Sequence, residues 1–173
     1  MSAMLDHIPV LDTQRLTLRA PKKADLATIT AFFETGRSHM VGGPRDAGES
    51  FTTLAGRIGH WALQGYGIWH VDDRSSGDFL GWVGFLNPPG WDEPELGWTV
   101  FAHAEGKGYA FEAARAARAF GAQALGLDGV ISYVRAENTR SRALAEKLGA
   151  KVERDGSVLG TPCLVYRHPK EAA

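Results

Sequence analysis

Three short stretches of this sequence carry residue types that can do chemistry. Gly106-Lys107-Gly108-Tyr109-Ala110 is a glycine-rich turn. Glycines there accept positive φ and let a ligand come close to the main chain. If a helix starts at the end of the turn, its unpaired first N–H groups and its dipole form an anion site suited to phosphate. The turn is too short for a Walker A loop and lacks the three spaced glycines of a dinucleotide fingerprint. Asn138 and Ser141 stand three residues apart, in line with Leu144, Ala145 and Leu148 on a helix. Asn138 is also an ideal helix N-cap. Glu95 opens an alternating run that leads into the glycine turn, with small Gly97 on its own face. A carboxylate so placed can act as a general base, directly or through water. Asp92 and Glu93 just before it are alternatives, and a surface or ion-paired role for Glu95 is equally open.

The remaining reactive residues point elsewhere. Cys163 is the single cysteine, so neither an internal disulfide nor a cysteine metal cluster forms within the chain. It lies in an apolar strand and reads as core rather than nucleophile. His39, His60, His70 and His103 show no metal-ligand spacing, so no metal is expected. Nineteen basic residues against twenty acidic ones leave a net charge of -1. That supplies no overall field for nucleic acid or an anionic membrane. No apolar run reaches a transmembrane length, and Met1 to Asp12 lacks the features of an export signal. A cytoplasmic location is the expectation.

The elements that must position these residues follow from periodicity. Length and a 44% hydrophobic content fit one compact domain over 1–173, with a core from about 13 to 167. Arg15 to Arg19 alternates as a strand, and Pro21 to Thr35 reads as a helix. Gly36 to Gly48 reads as a loop. A helix follows with Phe51, Leu54, Ala55, Ile58 and Trp61 on one face. Ile68 to Asp72 and Phe79 to Leu86 form a hairpin around a turn-rich connection, and Glu95 to Phe101 is the next strand. A helix from Ala110 carries alanines at 113, 114, 117 and 124, small enough for close approach to a sheet. Val130 to Val134, a helix from Asn138 to Leu148, and strands at Ala150 to Arg154 and Cys163 to Arg167 complete the chain. The order β-α-α-β-β-β-α-β-α-β-β predicts an α/β fold with a single mixed sheet flanked by helices. Glycine, 21 residues or about 12% against a usual 7%, is dispersed through these connections.

The segment from Thr99 to Ala113, with Gly106-Lys-Gly-Tyr-Ala-Phe-Glu-Ala113 at its centre, resembles the acyl-CoA motif of the GNAT N-acetyltransferases. It is most similar to their RimJ/RimL branch of ribosomal-protein N-terminal acetyltransferases. Thr13 to Arg19 followed by Asp25, Glu95 to Trp98, and Asn138 to Gly149 resemble three further segments of that branch. The resemblance implies a mostly antiparallel sheet and acetyl-CoA as co-substrate. The backbone of Trp98, Thr99 and Val100 would pair with the pantetheine arm. The N–H groups of Gly106, Lys107, Gly108, Tyr109 and Ala110 would hold the diphosphate, and Asn138 would bond the CoA arm. Two positions depart from the family's habit: Glu105 stands where Arg or Gln is frequent, and Ala102 where Pro is. A carboxylate beside a diphosphate is unfavourable unless it points away.

The resemblance also implies the reaction, transfer of acetyl to a primary amine on a protein N-terminus or a small molecule. The tyrosine that many relatives use to protonate the departing thiolate is absent, because Ala145 occupies its position. Ser141 or water then becomes the candidate proton donor, with Glu95 as the base. A homodimer is a further family expectation. The competing expectation is a domain that binds acyl-CoA without catalysing transfer.

Overall fold

The computed structural model describes residues 7–171, so the first half of the Met1 to Asp12 stretch lies outside them. Eight strands join one sheet in the order β1-β2-β3-β4-β5-β6-β8-β7. They are β1 Leu11–Asp12, β2 Leu16–Arg19, β3 Ile68–Asp73, β4 Phe79–Leu86, β5 Glu95–Val100, β6 Ile131–Val134, β7 Lys151–Val158 and β8 Thr161–Arg167. Every neighbouring pair is antiparallel except β5 and β6. Four helices cover it: α1 Leu26–Phe33, α2 Ala47–Gln64, α3 Tyr109–Ala124 and α4 Thr139–Lys147. The single mixed α/β sheet expected from the periodicity is observed, and it is mostly antiparallel, as the resemblance implies.

Two differences concern elements that short-range patterns under-read. The stretch expected as a glycine loop contains a 3-10 helix over Gly36–Val41, closed by Gly42 at φ +83. The final hairpin is longer than expected. β7 is an edge strand whose side chains are mostly exposed, so it shows no apolar alternation and only its pairing with β8 defines it. The helices start where local chemistry permits. At α2, Asp46 accepts from the Glu49 N–H at 2.8 Å, while Glu49 accepts from the Asp46 N–H at 2.9 Å, a reciprocal capping box.

β5 separates two apolar layers. Leu96 is fully buried against Ala113, Ala114 and Ala117 of α3, with Trp98 and Val100 packed on the same side. Phe101 lies on the opposite side, with Phe32 and Phe33 of α1 and Trp82 of β4. Glu95, Gly97 and Thr99 therefore face the α1/α2 side, and Leu96, Trp98 and Val100 the α3/α4 side. Cys163 is buried in the sheet as expected.

Candidate active site

β5 and β6 are in parallel register at a single pair, Glu95 and Ile131, beyond which no ladder joins them. The gap is the mouth of a cavity of about 860 Å³. Trp98 to Val100 form one wall, and Asn138 to Ser141 and Leu144 the other. Gly106, Gly108, Tyr109 and Ala110 form its rim. The volume suits a large small-molecule ligand.

Backbone direction along β5 follows from two bonds. The Leu96 carbonyl accepts from Ser132 of β6, whereas the Phe101 N–H reaches the Leu80 carbonyl of β4. Main-chain groups alternate along a strand. Trp98 and Val100 thus turn their N–H and C=O into the fork, and Thr99 turns its own toward β4. The three residues expected to act alike divide by this geometry. Thr99 also lines the cavity, and its buried Oγ1 has no partner among the described residues.

The glycine turn is open for ligand. Gly106 and Gly108 adopt φ of +73 and +79, and a Cβ at Gly106 would touch nothing. Gly108 is the N-cap of α3 and supplies no side chain to the first helical N–H groups. Lys107 is exposed and does not line the cavity. Its carbonyl accepts from Arg15 Nη1 at 2.9 Å. The turn is tied down from outside the cavity. Arg15 donates to Glu112 at 2.7 Å and lies over the Tyr109 ring at 4.6 Å, while the Tyr109 hydroxyl donates to Asp73 at 3.0 Å. Glu112 reads in the sequence as a polar position off the apolar stripe. In the structure it is the anchor that joins α3 to the start of β2.

Glu105 settles the electrostatic question raised by its charge. Its carboxylate pairs with Arg37 from the 3-10 helix and with Arg140 from α4, the latter at 2.6 Å. All three residues line the cavity. The pairing leaves this lip cationic, as a diphosphate requires. Arg37 belongs to no motif, and nothing in the segment that holds Arg140 points to Glu105, so their meeting was invisible before folding.

On α4, Asn138 Oδ1 accepts from the Ser141 N–H at 3.2 Å, the N-cap bond expected of it. Ser141 lines the cavity as well. Ala145 is fully buried and offers no hydroxyl. Glu95 lies outside the cavity wall, at the closed end of the fork. Its Oε2 accepts from Trp91 Nε1 at 2.9 Å. Its Oε1 leans over Gly97, where an added Cβ would sit 3.3 Å away. Desolvation pushes its pKa up to about 7, although the bond from Trp91 opposes the shift. Asp92 and Glu93 are taken up by Arg154 and Arg167. Two of the histidines have structural partners: His60 bonds the Tyr66 carbonyl and the Asn87 N–H, and buried His70 joins Asp25 to Arg57. Among the described residues no group of three His, Cys, Asp or Glu could hold a metal ion. None of the described helices is long and apolar enough to cross a membrane.

Comparison with known proteins bears on the whole of this architecture. A family model described as an acetyltransferase (GNAT) domain matches residues 15–151. The crystal structure of an acetyltransferase from Agrobacterium tumefaciens is 35% identical with a TM-score of 0.88, covering 94% of this chain and 95% of that one. RimL, a ribosomal L7/L12 alpha-N-protein acetyltransferase, matches at 14% identity and a TM-score of 0.75 over 92% of each chain. The microcin C7 self-immunity acetyltransferase MccE, solved with acetyl-CoA and AMP, matches at 13% and 0.72, over 91% of this chain and 93% of that one.

Proposed function

The chain belongs to the GNAT acetyltransferase family, whose co-substrate is acetyl-CoA, and on that premise we propose that it acetylates a primary amine by direct transfer, with Glu95 as the base. The observation that carries this reading is the fork itself. One cavity runs from an uncapped helix N-terminus to two open main-chain positions of β5, and a desolvated carboxylate leans over the glycine between them and the fork's closed end.

Each residue has a defined task in this reading. The N–H groups of Tyr109 and Ala110, with those of the turn, would hold the diphosphate, and Arg37 and Arg140 would balance its charge. Trp98 would present its N–H to the thioester carbonyl, polarising it for attack. The amine nitrogen bonds to the carbonyl carbon as the C–S bond breaks. Glu95, through water, takes the proton lost by nitrogen, and Ser141 or water returns one to the thiolate. In this reading transfer is direct, without an acetyl-enzyme: Cys163 is buried in the sheet and does not line the cavity.

The base also favours a class of acceptor. A carboxylate with pKa of about 7 is well matched to an α-amino group near 8, and poorly matched to a lysine side chain near 10.4. A peptide N-terminus or a small-molecule amine of low pKa is therefore the acceptor we infer. The fold likeness to RimL fits the first of these. Thiol release from acetyl-CoA across lysine-free peptides, N-terminally blocked peptides and small amines tests the reading. Release only with free α-amino or low-pKa amines supports it. Binding of acetyl-CoA without release above buffer for any amine would replace it with the binding-only alternative.

A further inference from the structure

Below the fork, on the α3/α4 side, lies a buried polar pair that the reaction scheme above leaves unused. Ser132 of β6 and His168 just beyond β8 are each at most 2% exposed. Ser132 Oγ donates to the Leu96 carbonyl at 2.5 Å and lies 2.9 Å from His168 Nε2. A serine hydroxyl has one proton. Because Leu96 receives it, the bond between Ser132 and His168 must be donated by His168, which fixes the Nε2–H tautomer. The ring is neutral: burial, with Arg118 and Arg167 nearby, lowers its pKa to about 4. The imidazole also meets the Trp98 indole edge-to-face, with ring centres 6.3 Å apart. The His168 N–H bonds the Val130 carbonyl at 3.0 Å, so the main chain on both sides of the pair is fixed.

The Leu96 carbonyl is the last group on this edge of β5 before the fork opens. In an ordinary parallel sheet a β6 N–H would pair with it. Here a side-chain hydroxyl does so, and the next main-chain groups on the same edge belong to Trp98. We propose that Ser132 and His168 are positioning residues that set the register of acetyl-CoA. By occupying the Leu96 carbonyl, they leave Trp98 as the first free position for the pantetheine amide and the thioester. His168 acts through Ser132, orienting its hydroxyl, and through the Trp98 ring. Without the hydroxyl, Leu96 offers a buried unpaired acceptor, and an N–H of the ligand gains by sliding to it. The thioester carbonyl then leaves the Trp98 N–H, while the diphosphate stays in the glycine turn. A displacement of about 1 Å can lower turnover a hundredfold.

This inference rests on the acetyl-transfer reading, so its test includes a readout that needs no acceptor. In Ser132→Ala we expect the CoA dissociation constant to stay within twofold of wild type at a binding stoichiometry near one, and kcat to fall at least tenfold. His168→Ala should fall similarly, whereas His168→Gln, which keeps an N–H donor, should recover most of the loss. With [1-13C]acetyl-CoA, the carbonyl resonance of the bound ligand should shift downfield in wild type. It should return toward the free value in Ser132→Ala. Unchanged kcat and carbonyl shift in Ser132→Ala would overturn the assignment. So would a loss of CoA affinity parallel to the loss of turnover, or equal damage from the glutamine and alanine variants at 168. If wild type acetylates no amine yet the carbonyl shift depends on Ser132, the register assignment stands and the transfer reading fails.

Discussion

At the C-terminal end of β5 the site is made of main chain, while at the N-terminal end it is made of one side chain. Past Val100, the glycine turn offers N–H groups held by helix geometry and by the Arg15, Glu112, Tyr109 and Asp73 contacts behind it. Many side chains would serve at these positions, provided the backbone keeps its path. At Glu95 the backbone merely continues a sheet, and one carboxyl group must lie in a low-dielectric setting above a residue without a Cβ. Substitutions should therefore divide into two classes. Those at the turn should change cofactor affinity, and those at the fork's closed end should change turnover.

The largest effect expected is at Glu95. Glu95→Gln should lower kcat about a hundredfold, the usual reach of a general base, and leave acetyl-CoA affinity within twofold. Equal activity would remove Glu95 from the mechanism and break the comparison. The pH dependence follows with a definite sign. The base works only when ionised, so kcat should rise with pH through about 7, and the limb should vanish in Glu95→Gln. For stability, the folded protein holds the Glu95 proton up to a higher pH than the unfolded chain does. The folded state is thus favoured at low pH and loses that advantage as pH rises from about 4.5 to about 7. Denaturant midpoints of wild type and Glu95→Gln should diverge across that window, with the glutamine variant flatter.

Gly108→Ala is next in size. At φ +79 an L-residue is disfavoured by about 1–2 kcal/mol, so the turn should relax and the CoA dissociation constant rise about tenfold. At saturating acetyl-CoA, kcat should stay within twofold. Lys107→Ala provides the contrast. If the N–H groups do the binding, affinity should change less than threefold, and a tenfold loss would move the recognition to the lysine charge. Gly97→Ala probes the other end. Its Cβ would press on Glu95 Oε1 from 3.3 Å, so kcat should drop several-fold at unchanged CoA affinity, as measured by steady-state kinetics beside calorimetry.

The same division explains what could be read before folding. The turn was legible because its function needs backbone freedom, and glycines at 106 and 108 state that need directly. Asn138 was legible because an N-cap is a local decision. Glu95 was partly legible, from its place on a strand that runs to the turn; its desolvation depends on Trp91 and on the sheet around it. The Glu105 pair with Arg37 and Arg140 was not legible, since the partners lie 68 and 35 positions away from it. Ser132 and His168 were not legible for the same reason: one is an ordinary strand serine and the other a histidine just past a strand until β6 and β8 pair. The edge strand β7 failed differently, because an exposed edge has no buried face to impose a period.

Asn138 gives the smallest effect and tests whether a local signal can hide a second role. Its Oδ1 caps α4, and among the described residues its amide nitrogen donates to no protein group. Asn138→Ala removes both functions and should cost about 1 kcal/mol of stability, the value of a lost cap. Asn138→Asp keeps the cap acceptor but replaces the amide donor with a negatively charged oxygen on the cavity wall. Its melting temperature should match wild type, while its CoA dissociation constant should rise a few-fold. If the aspartate variant binds CoA as wild type does, Asn138 is a cap and nothing more. The α4 wall of the cavity would then contribute shape alone, and the recognition carried by main chain would be confined to β5 and the glycine turn.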